Sequence, residues 1–452
     1  MRLPVTLSLA LIAVASLRAE APPVQGTMPE DYIPTLKPLL VAAVERSPNT
    51  ISASLALAQA EAAKMSAYSV LYPSLSLSAD YQRSTESVSS TASQTSSGLF
   101  YSAGLSQPIF EWGAYKNGAL IGSLGLKISQ KQYAEAYRLL AISIREQYMA
   151  LIDKKIQKRN AAFNLKLSQE SLAAQNARFE AGASSQAELS NFRMSVEEAK
   201  LAADRSDEEY AYAKRVLTRL VGIDDIDDAS VPLMVPHPEY QAPKADAILS
   251  GFVGNGIEST FQSQVYQLQV KQQDLNYQIQ RVRLLPKVNA SAGYSYENYT
   301  AASVGNVQQV GIAAESYSVA ASWSIFDGFA TRAAKLSALE TKRSVELQKK
   351  TYVDTTIDSI TYMRHQIDFS SRAMSLAEVH HALIEAEVKR IGEDLGLGYA
   401  SQASVDSGKL NLYSTEYAMA YARNDFLNHW TEFISLAGID PALDNIPSRY
   451  VR

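Results

Sequence analysis

Two opposite periodicities alternate along this chain. Leu75, Leu77, Ala79 and Tyr81 alternate with Ser74, Ser76, Ser78 and Asp80, and Tyr101, Ala103 and Leu105 alternate with Ser102, Gly104 and Ser106. The same two-residue period returns in Val288, Ala290, Ala292, Tyr294 and Tyr296 against Lys287, Asn289, Ser291, Gly293 and Ser295. It returns again in Tyr317, Val319, Ala321, Trp323 and Ile325 against Ser318, Ala320, Ser322 and Ser324. Period two predicts strands with one apolar and one polar face. The four strands form two hairpins, over 73–110 and 286–326, with turns predicted in the Ser/Thr-rich stretch Ser84–Ser97 and the Gly/Ala/Gln stretch Thr300–Ser316.

Between the hairpins the pattern becomes helical and very long. No proline occurs from Ile109 to Val231 or from Lys287 to Asp440, and no glycine from Leu126 to Ala181 or from Phe329 to Ile391. Stretches that long without breakers exceed ordinary globular helices. At ~1.5 Å per residue, one helix from Trp112 to Ala181 reaches about 100 Å. Tyr137, Ala141, Ile144, Tyr148 and Leu151 follow a 4-3-4-3 spacing, and Val353, Ile357, Ile360, Arg364 and Ile367 repeat it. That is the a/d spacing of knobs-into-holes packing, and Arg364 inside such a seam has to pair or snorkel.

These segments are one unit used twice. Phe179-Glu180-Ala181-Gly182-Ala183-Ser184-Ser185-Gln186 corresponds to Leu395-Gly396-Leu397-Gly398-Tyr399-Ala400-Ser401-Gln402, 216 positions on, and Leu220-Val221-Gly222-Ile223 to Leu436-Ala437-Gly438-Ile439 in the same register. A duplication requires each half to build the same supersecondary unit. The predicted layout is repeat 1 over 35–223, a linker over 224–254, repeat 2 over 255–440 and a tail over 441–452. Residues 1–19 read as a secretory signal, with Arg2, the apolar run Leu3–Leu17 and small Ala19, and residues 20–34 as an extended segment.

Composition sharpens this. The chain has no cysteine, which removes disulfides, thiolate metal sites and a lipidated N-terminal cysteine. The net charge of −5 carries no blocks, so nucleic acid is not an expected partner. No run after the signal reaches the ~18 apolar residues of a spanning helix. The polar strand faces, by contrast, consist of Ser, Gly and Asn with little Lys, Glu or Arg, and aromatics sit towards the strand ends (Tyr81, Phe100, Tyr101, Tyr294, Tyr296, Tyr317). That pattern fits a transmembrane barrel. Lipid-facing positions are then Leu75, Leu77, Tyr81, Val288, Tyr294, Val319 and Trp323, and lumen-facing ones Ser74, Ser76, Ser78, Ser318 and Ser322. Four strands cannot close a barrel, and open edges have no place in hydrocarbon. Copies must share one: two give 2 × 4 = 8 strands, three give 3 × 4 = 12, and the long helices favour the wider ring.

The tandem helix–hairpin–helix layout, Tyr72-Pro73-Ser74-Leu75 leading into the strands, Gln107-Pro108-Ile109-Phe110 leaving them and Arg178-Phe179-Glu180-Ala181-Gly182 followed by Glu188, Asn191 and Arg193 resemble the TolC-type outer-membrane factors. The resemblance covers about residues 35 to 440. It implies a mainly α protein with a membrane β part: a homotrimer whose 12-stranded barrel in the outer membrane continues as a helical tunnel through the periplasm. It also implies partners, namely a periplasmic adaptor and an inner-membrane ABC or proton-driven pump. The tip glycines that meet the adaptor match Gly182 and Gly398, and the linker falls at an equatorial collar. Here the chain departs from the best-known members. Ala400, Ser404 and Ser407 stand where an arginine and carboxylates help close the tunnel, so that either Glu188, Asp394 and Asp406 act as gate residues in their place or the resting tip is looser.

No motif for catalysis or cofactor binding is present. The five histidines show no metal-ligand spacing, and Asp224-Asp225-Ile226-Asp227-Asp228 lacks the glycine and final glutamate of an EF-hand loop. The sequence points to a passive outer-membrane exit duct for protein secretion or small-molecule efflux. The competing reading is a periplasmic coiled-coil scaffold or adaptor without a barrel.

Overall fold

The computed structural model describes residues 28–86, 94–303 and 306–450. The signal at 1–19 and the predicted extended segment up to residue 27 lie outside them. The rest of that segment is not extended: α1 (Pro29–Tyr32) is a single helical turn, with Pro29 at its first position and Asp31 accepting from the Met28 N–H at 3.0 Å. Proline pre-sets the helical φ there, which the chain-end reading of a Pro-rich stretch overlooked.

The two repeats match in length as well as sequence. Repeat 1 runs α2 (Leu36–Arg46), α3 (Pro48–Ser69), β1 (Ser74–Glu86), β2 (Gln94–Phe110), α4 (Ala114–Glu180) and α5 (Gln186–Val221). Repeat 2, after the short α6 (Ala242–Gly251), runs α7 (Phe261–Arg281), β3 (Lys287–Ser303), β4 (Asn306–Ser322), α8 (Ala330–Gly396) and α9 (Gln402–Leu436). Helices α4 and α8 are each 67 residues long. α4 packs on α3, α5, α7 and α9. Among the described residues no helix is long and apolar enough to cross a membrane.

The core sits at the middle of the long helices. Tyr137, Ala141, Ile144, Tyr148 and Leu151 are all fully buried, as are Ile360 and Ile367, while Val353 and Ile357 pack partly buried against them. The linker is part of this core through Ile226, Val231, Val235 and Phe252. Its acidic run is a solvated helix-end feature: Asp225 and Asp228 both pair with Lys214, at 2.9 and 2.7 Å. Arg364 does pair, with Asp246 at 2.8 Å and Asp368 at 2.6 Å.

The four strands form one antiparallel sheet in the order β1-β2-β3-β4, with β1 and β4 as open edges. Three boundaries differ from the sequence reading. The second hairpin is tight, since β3 runs through Ser303 and β4 resumes at Asn306, so the stretch Thr300–Ser316 is almost entirely strand. At the first hairpin β1 runs through Glu86 and β2 starts at Gln94, so strand enters the predicted turn Ser84–Ser97 from both sides, and the remainder of that stretch lies outside the described residues. At the other end β4 stops at Ser322, and Trp323 and Ile325 are not in the sheet. The cause is on the neighbouring strand: Ser322 pairs with Lys287, and Pro286 before it has no N–H to extend the ladder.

Candidate functional site

Three regions carry the candidate residues: the sheet, the helical turns at the far end and the charged groups between them. In the sheet, register assigns the faces. Leu75, Leu105, Ala292 and Tyr317 form one cross-strand row, and Leu77, Ala103, Tyr294 and Glu315 the next. Side chains on one row share a face. The apolar face therefore gathers Leu75, Leu77, Tyr81, Tyr294 and Val319, with Val288 at its lower end. Leu77 is 78% and Val319 73% exposed, so the face has no cover within the chain. The opposite face carries Ser74, Ser106, Ser291 and Ser318 on one row and Ser78, Ser102 and Ser295 on another. Ser78 bonds Ser102 at 2.8 Å and Ser291 bonds Ser318 at 2.7 Å. Ser76 and Ser322 lie on this polar face too.

Two residues depart from the face scheme. Phe100 is not on the aromatic side of the sheet: it shares a row with Asp80 and Glu297 on the polar face and stacks on Tyr299 at 6.1 Å. Trp323, counted with the apolar positions, lies beyond the end of β4. The junction from sheet to helix is held by Trp112, which donates from Nε1 to the Pro286 carbonyl at 2.9 Å, and by the Lys287–Glu111 ion pair.

The two turns 216 positions apart are built alike. Gly182 and Gly398 adopt φ of +74° and +78°, a region that only glycine enters without strain. The Ala183 N–H reaches back to the Arg178 carbonyl and the Tyr399 N–H to the Asp394 carbonyl, both at 2.8 Å, satisfying the last carbonyls of α4 and α8. A Cβ at either glycine would point into open space. Ser185 and Ser401 then cap α5 and α9 by accepting from Glu188 and Ser404 N–H.

The three candidate gate carboxylates are each engaged within their own turn. Glu188 accepts from the Ser185 N–H at 3.1 Å and from Ser184 Oγ at 2.8 Å, bonds that hold its carboxyl below the usual range. Asp394 pairs with Arg390 at 3.0 Å and Asp406 accepts from Gln402 at 2.9 Å. Glu188 is thus the second half of a capping box. Ser404 and Ser407 line an open cleft of about 530 Å³ between α8 and α9, together with Val388, Ile391 and Gly408.

Sequence reasoning missed the charged groups at mid-helix. Arg145 is fully buried between two carboxylates, meeting Asp440 at 2.6 Å and Glu30 at 2.6 Å. Burial works against its charge, but those bonds outweigh it and hold the guanidinium above its ordinary pKa. Nearby, burial and a hydrogen bond shared with Glu432 push Glu146 up to about 7. Burial likewise pushes Asp153 up to about 6, although Asn424 donates to it at 2.7 Å. The signal was available, since Glu146 falls beside the Ile144–Tyr148 seam. Among the described residues no three His, Asp or Glu side chains converge as a metal site would require.

Residues 39–223 match the family described as outer membrane efflux protein. The fold is similar to the Campylobacter jejuni CmeC outer membrane channel, with a TM-score of 0.71 at 14% identity, covering 100% of this chain and 97% of that one. It is also similar to the outer membrane protein VceC from Vibrio cholerae (0.65, 16%, 90% and 97%) and to the open-state MtrE outer membrane channel of Neisseria gonorrhoeae (0.66, 15%, 90% and 89%). A search of curated proteins finds no match.

Proposed function

With its first repeat matched to the outer membrane efflux proteins and its whole fold that of the TolC-type outer-membrane factors, we propose that this chain is the outer-membrane channel of a tripartite export system. Three copies close a 12-stranded barrel in the outer membrane, and their helices continue it as a tunnel into the periplasm. Substrates delivered by an inner-membrane ABC or proton-driven pump leave through it by way of a periplasmic adaptor. The chain moves no bonds itself; it supplies a wall.

The observation that carries this reading is the open sheet with one face apolar and uncovered. Unpaired edge N–H and C=O groups cannot remain in lipid, and 3 × 4 = 12 strands remove every edge. A second feature supports several copies. Tyr362, Phe369, Leu376 and Leu383 stand exposed on α8 at seven-residue intervals, a heptad stripe that this chain leaves unpartnered and that a helix of the next copy fits. The Gly182 and Gly398 turns face open space at the far end, where an adaptor would dock, and the cleft lined by Ser404 and Ser407 adjoins the second of them. In this reading tunnel closure does not use an acidic ring at Ser404 and Ser407.

Native mass measurement of the detergent-solubilised protein, followed by planar-bilayer recording, tests the proposal. A trimer that conducts is the expected result. A monomer or dimer, or a protein that carbonate washes from membranes, returns the scaffold reading.

A further inference from the structure

The apolar face of the sheet carries one anion and one cation, and they sit on opposite open edges. Glu315 lies on β4 in the row of Leu77, Ala103 and Tyr294. Its nearest polar partner is the Tyr317 hydroxyl, which donates at a long 3.4 Å. Arg83 lies on β1 on the same face, paired in the ladder with Ser97, and its guanidinium makes no ion pair among the described residues. A carboxylate on a lipid-facing strand is unfavourable unless something takes up its charge. Within one chain the two groups cannot meet, being at opposite edges of a four-stranded sheet.

Closure between copies brings them together. Without stagger, β4 of one copy would meet β1 of the next along the existing rows, placing Glu315 opposite Leu77. A barrel, however, requires its strands to tilt by about 35–45°. With strands ~4.8 Å apart and ~3.3 Å per residue, crossing four strands shifts the register by about 4 to 6 residues. The direction follows from the sheet. The row from Ser74, the first residue of β1, runs through Ser106 and Ser291 to Ser318, yet β4 continues to Ser322, 322 − 318 = 4 residues further toward the helices. Levelling the helix-side ends shifts the next β1 so that later residues face Glu315. A six-residue shift in this sense places Arg83 opposite Glu315, since 77 + 6 = 83, and pairs 76–86 with 322–312. The opposite sense pairs only 74–80 with 312–306. A four-residue shift leaves Arg83 as the diagonal neighbour, still within reach of a long side chain.

The geometry points to an ion pair between Glu315 of one copy and Arg83 of the next, repeated at each seam, that fixes the register in which the copies close. The pair rests on the barrel reading above but makes a separate claim, the stagger. The absence of native cysteine makes it testable by cross-linking. Arg83→Cys combined with Glu315→Cys, oxidised in membranes, is expected to give covalent trimers at least ten-fold over Leu77→Cys combined with Glu315→Cys, the unstaggered pairing. In parallel, Glu315→Arg and Arg83→Glu should each lower the trimer recovered in mild detergent, and the double exchange should restore it. Cross-linking by the Leu77 pair instead, or no cross-link by either pair in a protein whose wild-type mass is trimeric, overturns the ion pair while the barrel stands. A monomeric wild type overturns both.

Discussion

At the scale of single residues, the energetics concentrate at Arg145. Its guanidinium is fully buried and joins three distant parts of the chain: α4, the first turn at Glu30 and the segment after α9 at Asp440. Removing one member of such a group strands the others, because Asp440 is also fully buried. Arg145→Met is therefore expected to destabilise by about 3–5 kcal/mol, and Arg145→Lys by less than that but measurably, since an ammonium lacks the planar fork that serves two carboxylates. Thermal melts of the detergent-solubilised protein read both; an unchanged Arg145→Met would show the network to be dispensable. None of this was legible in the sequence, where Arg145 is one cation among 42, because its partners lie 115 and 295 positions away. A second local feature was equally hidden. Trp112-Gly113 and Gly328-Phe329, again 216 positions apart, all have positive φ. Each repeat supplies a single glycine for a turn that needs two such residues, and supplies it at the opposite position, so Trp112 and Phe329 carry strain of about 1–3 kcal/mol each.

Elements were more readable than residues, because period and breakers are properties of whole segments. The four strands follow from alternation, and both 67-residue helices from proline-free runs that are also free of glycine over most of their length. The misplaced ends are those set by a neighbour: Trp323 leaves the sheet because Pro286 lies across from it, and Phe100 reads as an aromatic-girdle residue until register places it with Asp80 and Glu297. The face assignment itself has a direct test. If the proposed barrel places this face in lipid, Leu77→Arg and Val319→Arg would each put charge there at about 2–4 kcal/mol near the midplane, and should reduce trimer assembly. Ser76→Arg and Ser318→Arg should assemble and change conductance; the reverse outcome would invert the faces. Between helices α4 and α9, Glu146 supplies a pH dependence. Its folded pKa of about 7 lies above the ~4.3 of a free glutamate. Stability from the protonated carboxyl is thus complete below that lower value and is lost as pH rises through about 7. The melting temperature should rise between pH 8 and pH 5.5, by an amount limited by the half-exposed position of the group. Glu146→Gln should flatten that part of the profile, and a profile identical to wild type would remove Glu146 from the account.

At the scale of the whole molecule, the sheet and the helical turns lie far apart. A helix of 67 residues is about 100 Å long at ~1.5 Å per residue, so the turns at Gly182 and Gly398 stand that far from the sheet. Barrel assembly and events at the tips are then separable by mutation. At the tips a Cβ meets nothing within the chain, so a substitution there acts through backbone strain and through whatever docks from outside. Valine is the informative choice. Its branched side chain resists φ near +74° and +78°, a strain of about 1–3 kcal/mol, and would hold an adaptor's backbone away from the turn. The local cost is small beside the burial of a core that lies at mid-helix around Ile144, Tyr148 and Ile360. Gly182→Val or Gly398→Val is therefore expected to abolish export while trimer yield and outer-membrane insertion stay at wild-type levels. Export assayed beside trimer recovery distinguishes the alternatives. Normal export with either valine would take these glycines out of docking, whereas loss of trimer would reduce them to structural turns whose strain the helices cannot absorb.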